Sequence, residues 1–245
     1  MYLIFKDFLI GFFINFVLIS FFHKLPIMTK SGWTNAGVLG TILWGCLSWK
    51  GWISVVIYLI LGSLVTKIGF KYKNQKGIAE KRAGKRGPEN VWGSAGTGLF
   101  FALLIKLNLS SLVLLNVAFA SSFSAKLGDT FGSEIGKRFG KNTFLITSLR
   151  KVPKGTEGGI SLEGTIASLV GSITMSLVML SLGIINDFDL FYVVAISGFA
   201  ATIIESIIGA KYQEKYQLSN EIVNTIQTSI SSVIAIFICI IFFIK

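Results

Sequence analysis

The sequence predicts an all-α protein, a polytopic bundle of about eight membrane-spanning helices. Three observations carry this reading. The 245-residue chain is 52% hydrophobic and only 14% charged, with a mean hydropathy of +0.70, whereas a soluble domain carries roughly 25% charged residues. The runs 8–22, 99–105 and 229–244 hold no charged residue at all, and a helix crosses a bilayer with about 20 mostly apolar residues. The basic residues are sorted by position: 19 of the 23 fall in alternate connections, leaving Lys6, Lys50, Lys106 and Lys245 for the other side.

The spans are expected at about 7–22, 33–49, 51–69, 91–106, 110–128, 161–183, 189–209 and 221–244. Helices are the expected element, because lipid offers backbone groups no water to bond. The first run lacks a small-x-small cleavage site and more spans follow, so it reads as a retained helix rather than a signal peptide. The second and fourth spans are short. Trp33, Trp44, Trp49, Trp52 and Trp92 lie near span ends, where interfacial aromatics belong. The positive-inside rule makes the basic side cytoplasmic and puts both termini opposite. It also accounts for the net charge of +11, so nucleic acid is not implied. Cys46 and Cys239 fall inside spans and suggest no disulfide.

The long connections, about 70–90, 129–160 and 210–220, all lie on the basic side. A faint internal repeat links Val65–Tyr72 to Glu205–Tyr212, and Thr34-Asn35-Ala36 with Gly40 to Thr165-Ile166-Ala167 with Gly171. The matched spans are four apart, which would make parallel halves. Chance likeness between apolar helices competes with duplication and carries more weight.

Asp129 and Glu134 stand at the cytoplasmic end of the fifth span. If the helix continues, Asp129 and Ser133 share a face, and Gly128, Gly132 and Gly136 open that surface. Magnesium is usually held by one or two carboxylates together with substrate phosphates. Asp129 suits that role, with Glu134 as second ligand or base. The alternative is ion pairing with Lys126, Lys137 or Arg138. The turn Lys154-Gly155-Thr156-Glu157-Gly158-Gly159 offers amides and lysines to phosphates just before a helix start, unless it is only a solvated loop that sets topology. The polybasic run Lys81–Asn90 reads as a contact for anionic lipid headgroups, or as a route by which Arg86 and Asn90 reach a substrate phosphate. Glu205, about one turn inside the seventh span, is a functional candidate because intramembrane carboxylates are costly. A helix-to-helix hydrogen bond is its bland alternative. Asn220, Glu221 and Asn224 read as caps. His23 is given no role, and the lack of a Cys/His cluster, a P-loop and a Ser/His/Asp set disfavours zinc, P-loop and serine-hydrolase chemistry.

Several blocks together resemble a known family. They are Gly77–Arg82, Lys85–Trp92, Gly128–Glu134, Gly155–Ser161 and Glu205–Ala210, in order along nearly the whole chain. The family is an integral membrane one containing the transmembrane protein 19 group and the phytyl-phosphate kinase of plants and cyanobacteria. More distantly, Gly128-Asp129-Thr130, Phe139-Gly140-Lys141 and Lys154-Gly155-Thr156-Glu157-Gly158 are similar to motifs of CTP-using polyprenol kinases and phosphatidate cytidylyltransferases. The cytidylyltransferase H-G-G…D-R ending is missing.

The resemblance implies a phosphotransferase that converts phytyl phosphate to phytyl diphosphate, a step towards tocopherol and phylloquinone. Magnesium and a nucleoside triphosphate, CTP or another, are the implied cofactors. The implied partners are a prenyl phosphate, the nucleotide and membrane lipid. On that reading Asp129, Glu134, Lys154 and Glu157 are catalytic, and Asp129 and Glu134 hold the metal. Arg86, Asn90, Ser133, Lys141, Gly155, Thr156, Gly158 and Glu205 contact substrate or nucleotide. The small residues Ala118, Ala120, Ser121, Ser122, Ser124 and Ala125 either leave room for the prenyl tail or pack helices closely, the latter being favoured. A CTP-dependent prenyl alcohol kinase and a lipid or anion transporter are the alternatives.

Overall fold

The structure is a computed structural model that describes residues 2–243. Its helices are α1 (Tyr2–Phe22), α2 (Lys30–Lys67), α3 (Phe70–Gln75), α4 (Pro88–Lys106), α5 (Leu112–Phe139), α6 (Leu162–Ser181), α7 (Phe188–Ile208) and α8 (Asn220–Phe242). Two two-residue strands, β1 (Phe144–Leu145) and β2 (Gly159–Ile160), pair antiparallel and fold the α5–α6 connection back over one end of the bundle. The starts of several helices are written locally. Thr29, Ser161, Asp187 and Ser219 each accept a hydrogen bond from the amide three residues on, and Pro88 occupies the first turn of α4, where its missing N–H costs nothing.

Helix α2 contains 38 residues, which as a straight rod would be about 57 Å long, nearly twice the hydrocarbon thickness of a bilayer. It is not a rod. Ser48 has φ 57° and ψ −158°, and the chain reverses there. Trp44 and Trp52 face each other at 5.5 Å between ring centroids, and Asn15 of α1 touches Gly40 on one arm and accepts a hydrogen bond from Trp52 Nε1 on the other. α2 therefore supplies two antiparallel spans, and the bundle crosses eight times, as the sequence predicts. Among the described residues five helices, α2 included, are long and apolar enough to cross a membrane. α4 and α5 fall short in hydropathy because they carry Gly, Ser, Thr and the charged site residues.

α5 is the central helix, packed against α2, α4, α6, α7 and α8. Its small residues bring the neighbours close, as membrane helices do where packing replaces the hydrophobic effect. Ala118, Ala120, Ser121, Ser122, Ser124 and Ala125 are fully buried. Ser231 and Ser232 of α8 donate to the carbonyls of Ser121 and Ala118, and Ser124 donates to Ser172 O of α6. These positions are occupied by helix packing. Gly171 sits on the same seam: a Cβ there would lie 2.8 Å from Leu127 O. Gly171→Val is expected to cost about 1–3 kcal/mol through overpacking, read as a lower unfolding midpoint in mild detergent.

The connections segregate to two ends. At one end the α1–α2 link bridges the residue before α4 (Met28 with Arg86), Glu80 pairs with Lys137, and Gly155 packs on Ile78. At the other, Lys106 pairs with Asp7 at 3.6 Å and Lys50 Nζ lies against Gly183. Three details differ from the sequence reading. Residues 129–139 belong to α5 rather than to a loop, because Gly132 and Gly136 pack on Ser168, Ser161 and Gly164 of α6 and so keep the helix going. The 70–90 connection holds α3 and a short 3₁₀ turn, Lys81–Gly84. The corresponding glycines of the faint repeat adopt different backbones: Gly69 ends α2 at φ 60°, while Gly209 is helical at φ −54° and leads into a π-helical turn, Gly209–Gln213. The matched spans do run in the same direction across the bundle.

Candidate functional site

A cavity of about 740 Å³ opens at the basic end of the bundle, between α2, α4, α5, α6, α7 and α8, beneath the 78–86 and 155–161 connections. Asp129 of α5 stands on its wall, 18% exposed. Lys126, one turn deeper and 6% exposed, donates to Asp129 Oδ2 (2.5 Å) and to Asn224 Oδ1 of α8 (2.8 Å). Glu205 of α7 and Glu157 share the cavity and lie within electrostatic reach of Asp129. Three carboxylates from three separate elements thus share one cavity, and two of them, Asp129 and Glu205, act on Lys126.

Glu134 is differently placed. It lines the cavity but is 2% exposed, ion-paired to the fully buried Lys73 of α3, with Lys137 Nζ 3.6 Å from its other oxygen. Lys73 Nζ also donates to Thr66 O at 2.9 Å. Lys137 in turn donates to Glu80 Oε1 at 2.9 Å. Burial pushes the Glu80 carboxyl up, but the Lys137 ammonium outweighs it and holds Glu80 below the usual range. The ladder Lys73–Glu134–Lys137–Glu80 ties α3, α5 and the α3–α4 connection together under the cavity. Glu134 thus stands in a buried ion-pair ladder, with Lys73 on one oxygen and Lys137 near the other, a setting that favours the ion-pair alternative over an open metal ligand.

Arg86 Nη1 donates to Tyr58 Oη at 2.8 Å, and its guanidinium lies over the Tyr58 ring, 5.3 Å from the centroid. Asn90 spends its side chain on structure: Oδ1 accepts from Gly87 N and Arg82 Nη2, both at 2.9 Å, and Nδ2 donates to Glu221 Oε1 at 3.2 Å. It caps α4 and fastens it to α8. Ser133 lines the cavity, its Oγ donating to Thr130 O at 3.3 Å.

The Gly155–Gly159 turn forms part of the cavity rim. Gly155 and Gly158 have φ of 84° and 71°, a region L side chains avoid. A Cβ at Gly158 would collide with Ala210 and lie 2.5 Å from Ser206 O, so this glycine lets the rim dock on the end of α7 beside Glu205. Thr156 Oγ1 donates to Pro153 O at 2.8 Å. Lys154 and Lys141 are not on the cavity wall. Lys154 Nζ lies 5.8 Å from the Tyr72 ring centroid, and Lys141 is exposed, its amide donating to Glu163 Oε1 at 3.2 Å.

The structure therefore brings Asp129, Ser133, Glu134, Glu157, Glu205, Arg86 and Asn90 to one cavity and leaves Lys141 and Lys154 outside it. Sequence reasoning gave Tyr58 and Lys73 no role, named Lys126 only as an ion-pair partner and read Asn224 as a cap. Lys126 had a signal, being a lysine three residues before Asp129 and flush with an apolar run. Lys73 looks like every other lysine of a basic loop.

Magnesium can be tested against this donor set. Among the described residues no group of three or more His, Cys, Asp or Glu side chains is assembled as a metal cage. Asp129 Oδ1 has no hydrogen-bond partner among the described residues, and Glu157 and Glu205 bring further carboxylate oxygens to the same cavity. That fits a hard ion that arrives with its own phosphates and waters and takes one or two carboxylates from the protein.

The chain is 46% identical over 188 residues to an uncharacterized membrane protein of Synechocystis, covering 76% of this chain and 72% of that protein. It is 39% identical over 190 residues to the chloroplastic protein VTE6 of Arabidopsis thaliana, spanning 76% of this chain and 57% of the plant protein. It is 28% identical over 197 residues to an uncharacterized membrane protein of Methanocaldococcus jannaschii, 80% of this chain and 79% of that one. No solved structure matches it. The family described as integral membrane protein DUF92 matches residues 13–239, and the chain belongs to that family.

Proposed function

We propose that the protein is a magnesium-dependent prenyl-phosphate kinase that converts phytyl phosphate to phytyl diphosphate with a nucleoside triphosphate. The observation that carries this reading is the convergence of Asp129, Lys126 and Arg86 in one cavity at the basic end of the bundle. The likeness of the Gly128–Glu134 and Gly155–Ser161 blocks to phytyl-phosphate kinase supports the same reaction, as does the kinship to VTE6. The positive-inside rule makes this face cytoplasmic, where nucleotide is available.

Phosphoryl transfer of this kind is mostly positioning and charge stabilisation. Asp129 would hold magnesium, with Glu205 or Glu157 as the second oxygen, and the ion when bound offsets charge on the nucleotide phosphates. Lys126 orients Asp129 by donating to its Oδ2. The Gly155–Gly159 rim covers the phosphates with backbone amides. Glu134 serves as a positioning residue that anchors α3 and the 78–86 segment. The acceptor's phosphate is already an anion at neutral pH, so no strong general base is needed.

Two outcomes test the reading. Purified protein supplied with phytyl phosphate and nucleoside triphosphate should form phytyl diphosphate, lose that activity on chelation and regain it with magnesium; activity indifferent to chelation would reject the metal role. Gly158→Ala should displace the rim and lower kcat by about 100-fold, since a shift near 1 Å can cost that much; a variant with wild-type turnover would remove the rim from the mechanism.

A further inference from the structure

Arg86 is held more firmly than a phosphate-steering loop residue needs to be. Its amide donates to Ile27 O and its carbonyl accepts from Thr29 N, both at 3.0 Å. Its side chain enters the bundle, with Nη2 2.6 Å from where a Cβ on Gly62 would stand and Thr130 Cγ2 3.8 Å from the same point. Gly62 is thus the gap that admits the guanidinium. The only side chain it bonds among the described residues is the neutral phenol of Tyr58, itself 4% exposed, and no carboxylate lies within 4.0 Å. Arg82 is paired with Glu89, Lys137 with Glu80 and Glu134, and Lys73 with Glu134, whereas Lys81 and Lys85 on the same wall are exposed to solvent. A guanidinium has five donors, and a half-buried charge without an anion is costly.

Lys126 lies on the same side of α5 one turn below Thr130, whose Oγ1 donates to Lys126 O at 2.9 Å. Arg86 and Lys126 line the same cavity, and both lie within electrostatic reach of Tyr58. Lys126 uses two of its three N–H groups on Asp129 and Asn224. The third remains.

We infer that Arg86 and Lys126, both within reach of Tyr58, form the receptor for the phosphate that the lipid acceptor already carries, and that this pair makes the site select a prenyl phosphate over the free alcohol. This rests on the kinase reading and adds to it the residues that choose the acceptor. A phosphate monoester carries about −1.5 to −2 charge at pH 7 and takes a guanidinium bidentately. An alcohol would leave both cations unmatched. In the reaction an oxygen of the bound monoester attacks the γ-phosphorus, the bond to the β,γ-bridging oxygen breaks and the nucleoside diphosphate leaves. The attacking oxygen is already deprotonated, so no proton has to be placed.

The test is binding without nucleotide, which separates this inference from turnover. The full chain in detergent would be titrated with phytyl phosphate, phytol, phosphatidic acid and inorganic phosphate, following tryptophan fluorescence and thermal midpoint. Phytyl phosphate should bind the wild type, and phytol should not. Arg86→Met and Lys126→Met should each weaken binding by roughly ten- to a hundredfold, with Arg86→Lys in between because it keeps charge but loses the fork. If Arg86→Met does not fold, Tyr58→Phe, which removes only the seat hydroxyl, should still weaken phytyl phosphate several-fold. The inference is overturned if phytol binds as well as phytyl phosphate, or if Arg86→Lys and Tyr58→Phe bind like wild type. Equal, Arg86-dependent binding of phosphatidic acid would make this a general headgroup site, and equal binding of inorganic phosphate a free-anion site; either also overturns it. Intact selective binding with no turnover under any nucleotide would reject the kinase reading alone.

Discussion

Replacing Asp129 with Asn is expected to lower phosphoryl transfer by about a thousandfold or more while the protein stays folded. The amide has the carboxylate's shape and still presents an oxygen to Lys126 Nζ, now 2.5 Å away. What it lacks is the charge that a metal–triphosphate complex would need at this wall. Catalysis by preorganised charge is lost steeply when one participating group is neutralised, typically by about 10²–10³ for a single donor, and a metal ligand sits at the upper end. Lys126 would then be a buried cation with only neutral partners, so its grip on phosphate should tighten rather than weaken. The signature is a collapse of kcat with little rise in the apparent KM for lipid. Asp129→Asn within tenfold of wild type would remove Asp129 from the centre of the account.

Glu134→Gln is expected to act on folding instead. Glu134 and Lys73 are 2% and 0% exposed, and removing one partner of a buried pair strands the other charge, at a cost of about 3–5 kcal/mol. Lys73→Met should cost less, because Glu134 keeps Lys137 at 3.6 Å. The double variant Lys73→Met/Glu134→Gln should recover part of the loss, since neither charge is then left alone. Denaturation midpoints for the three variants measure this ordering. Were Glu134 chiefly a metal ligand, Glu134→Gln would instead lose activity at unchanged stability.

The spans were legible because hydropathy and the sorting of basic residues are properties of composition. Even the reversal at Ser48 leaves a trace in Trp49 and Lys50, which interrupt an apolar run. The extension of α5 to Phe139 was not legible. Gly132 and Gly136 among charges read as a loop, and the fit of those glycines against Ser168, Gly164 and Ser161 keeps the chain helical. The same limit applies to the site. Asp129, Glu157, Gly158 and Glu205 stand out by type and place, and they do meet in the cavity. Lys141 and Lys154 were credited through their motif blocks, and the motif does not say whether a lysine side chain turns into the cavity or out of it. Tyr58 is one hydroxyl in an apolar span, and its meaning comes from Arg86, 28 residues away.

The most direct test is the acceptor and donor preference of the purified protein. Phytyl phosphate and phytol would each be incubated with magnesium and CTP, ATP, GTP or UTP, and lipid products would be separated by phosphate number. The account predicts phytyl diphosphate from phytyl phosphate with at least one nucleotide, and no phosphorylation of phytol. Phytyl phosphate formed from phytol would place the enzyme one step earlier and leave Arg86 without its assigned anion. Folded protein that transfers phosphate to neither acceptor from any nucleotide would contradict the central claim.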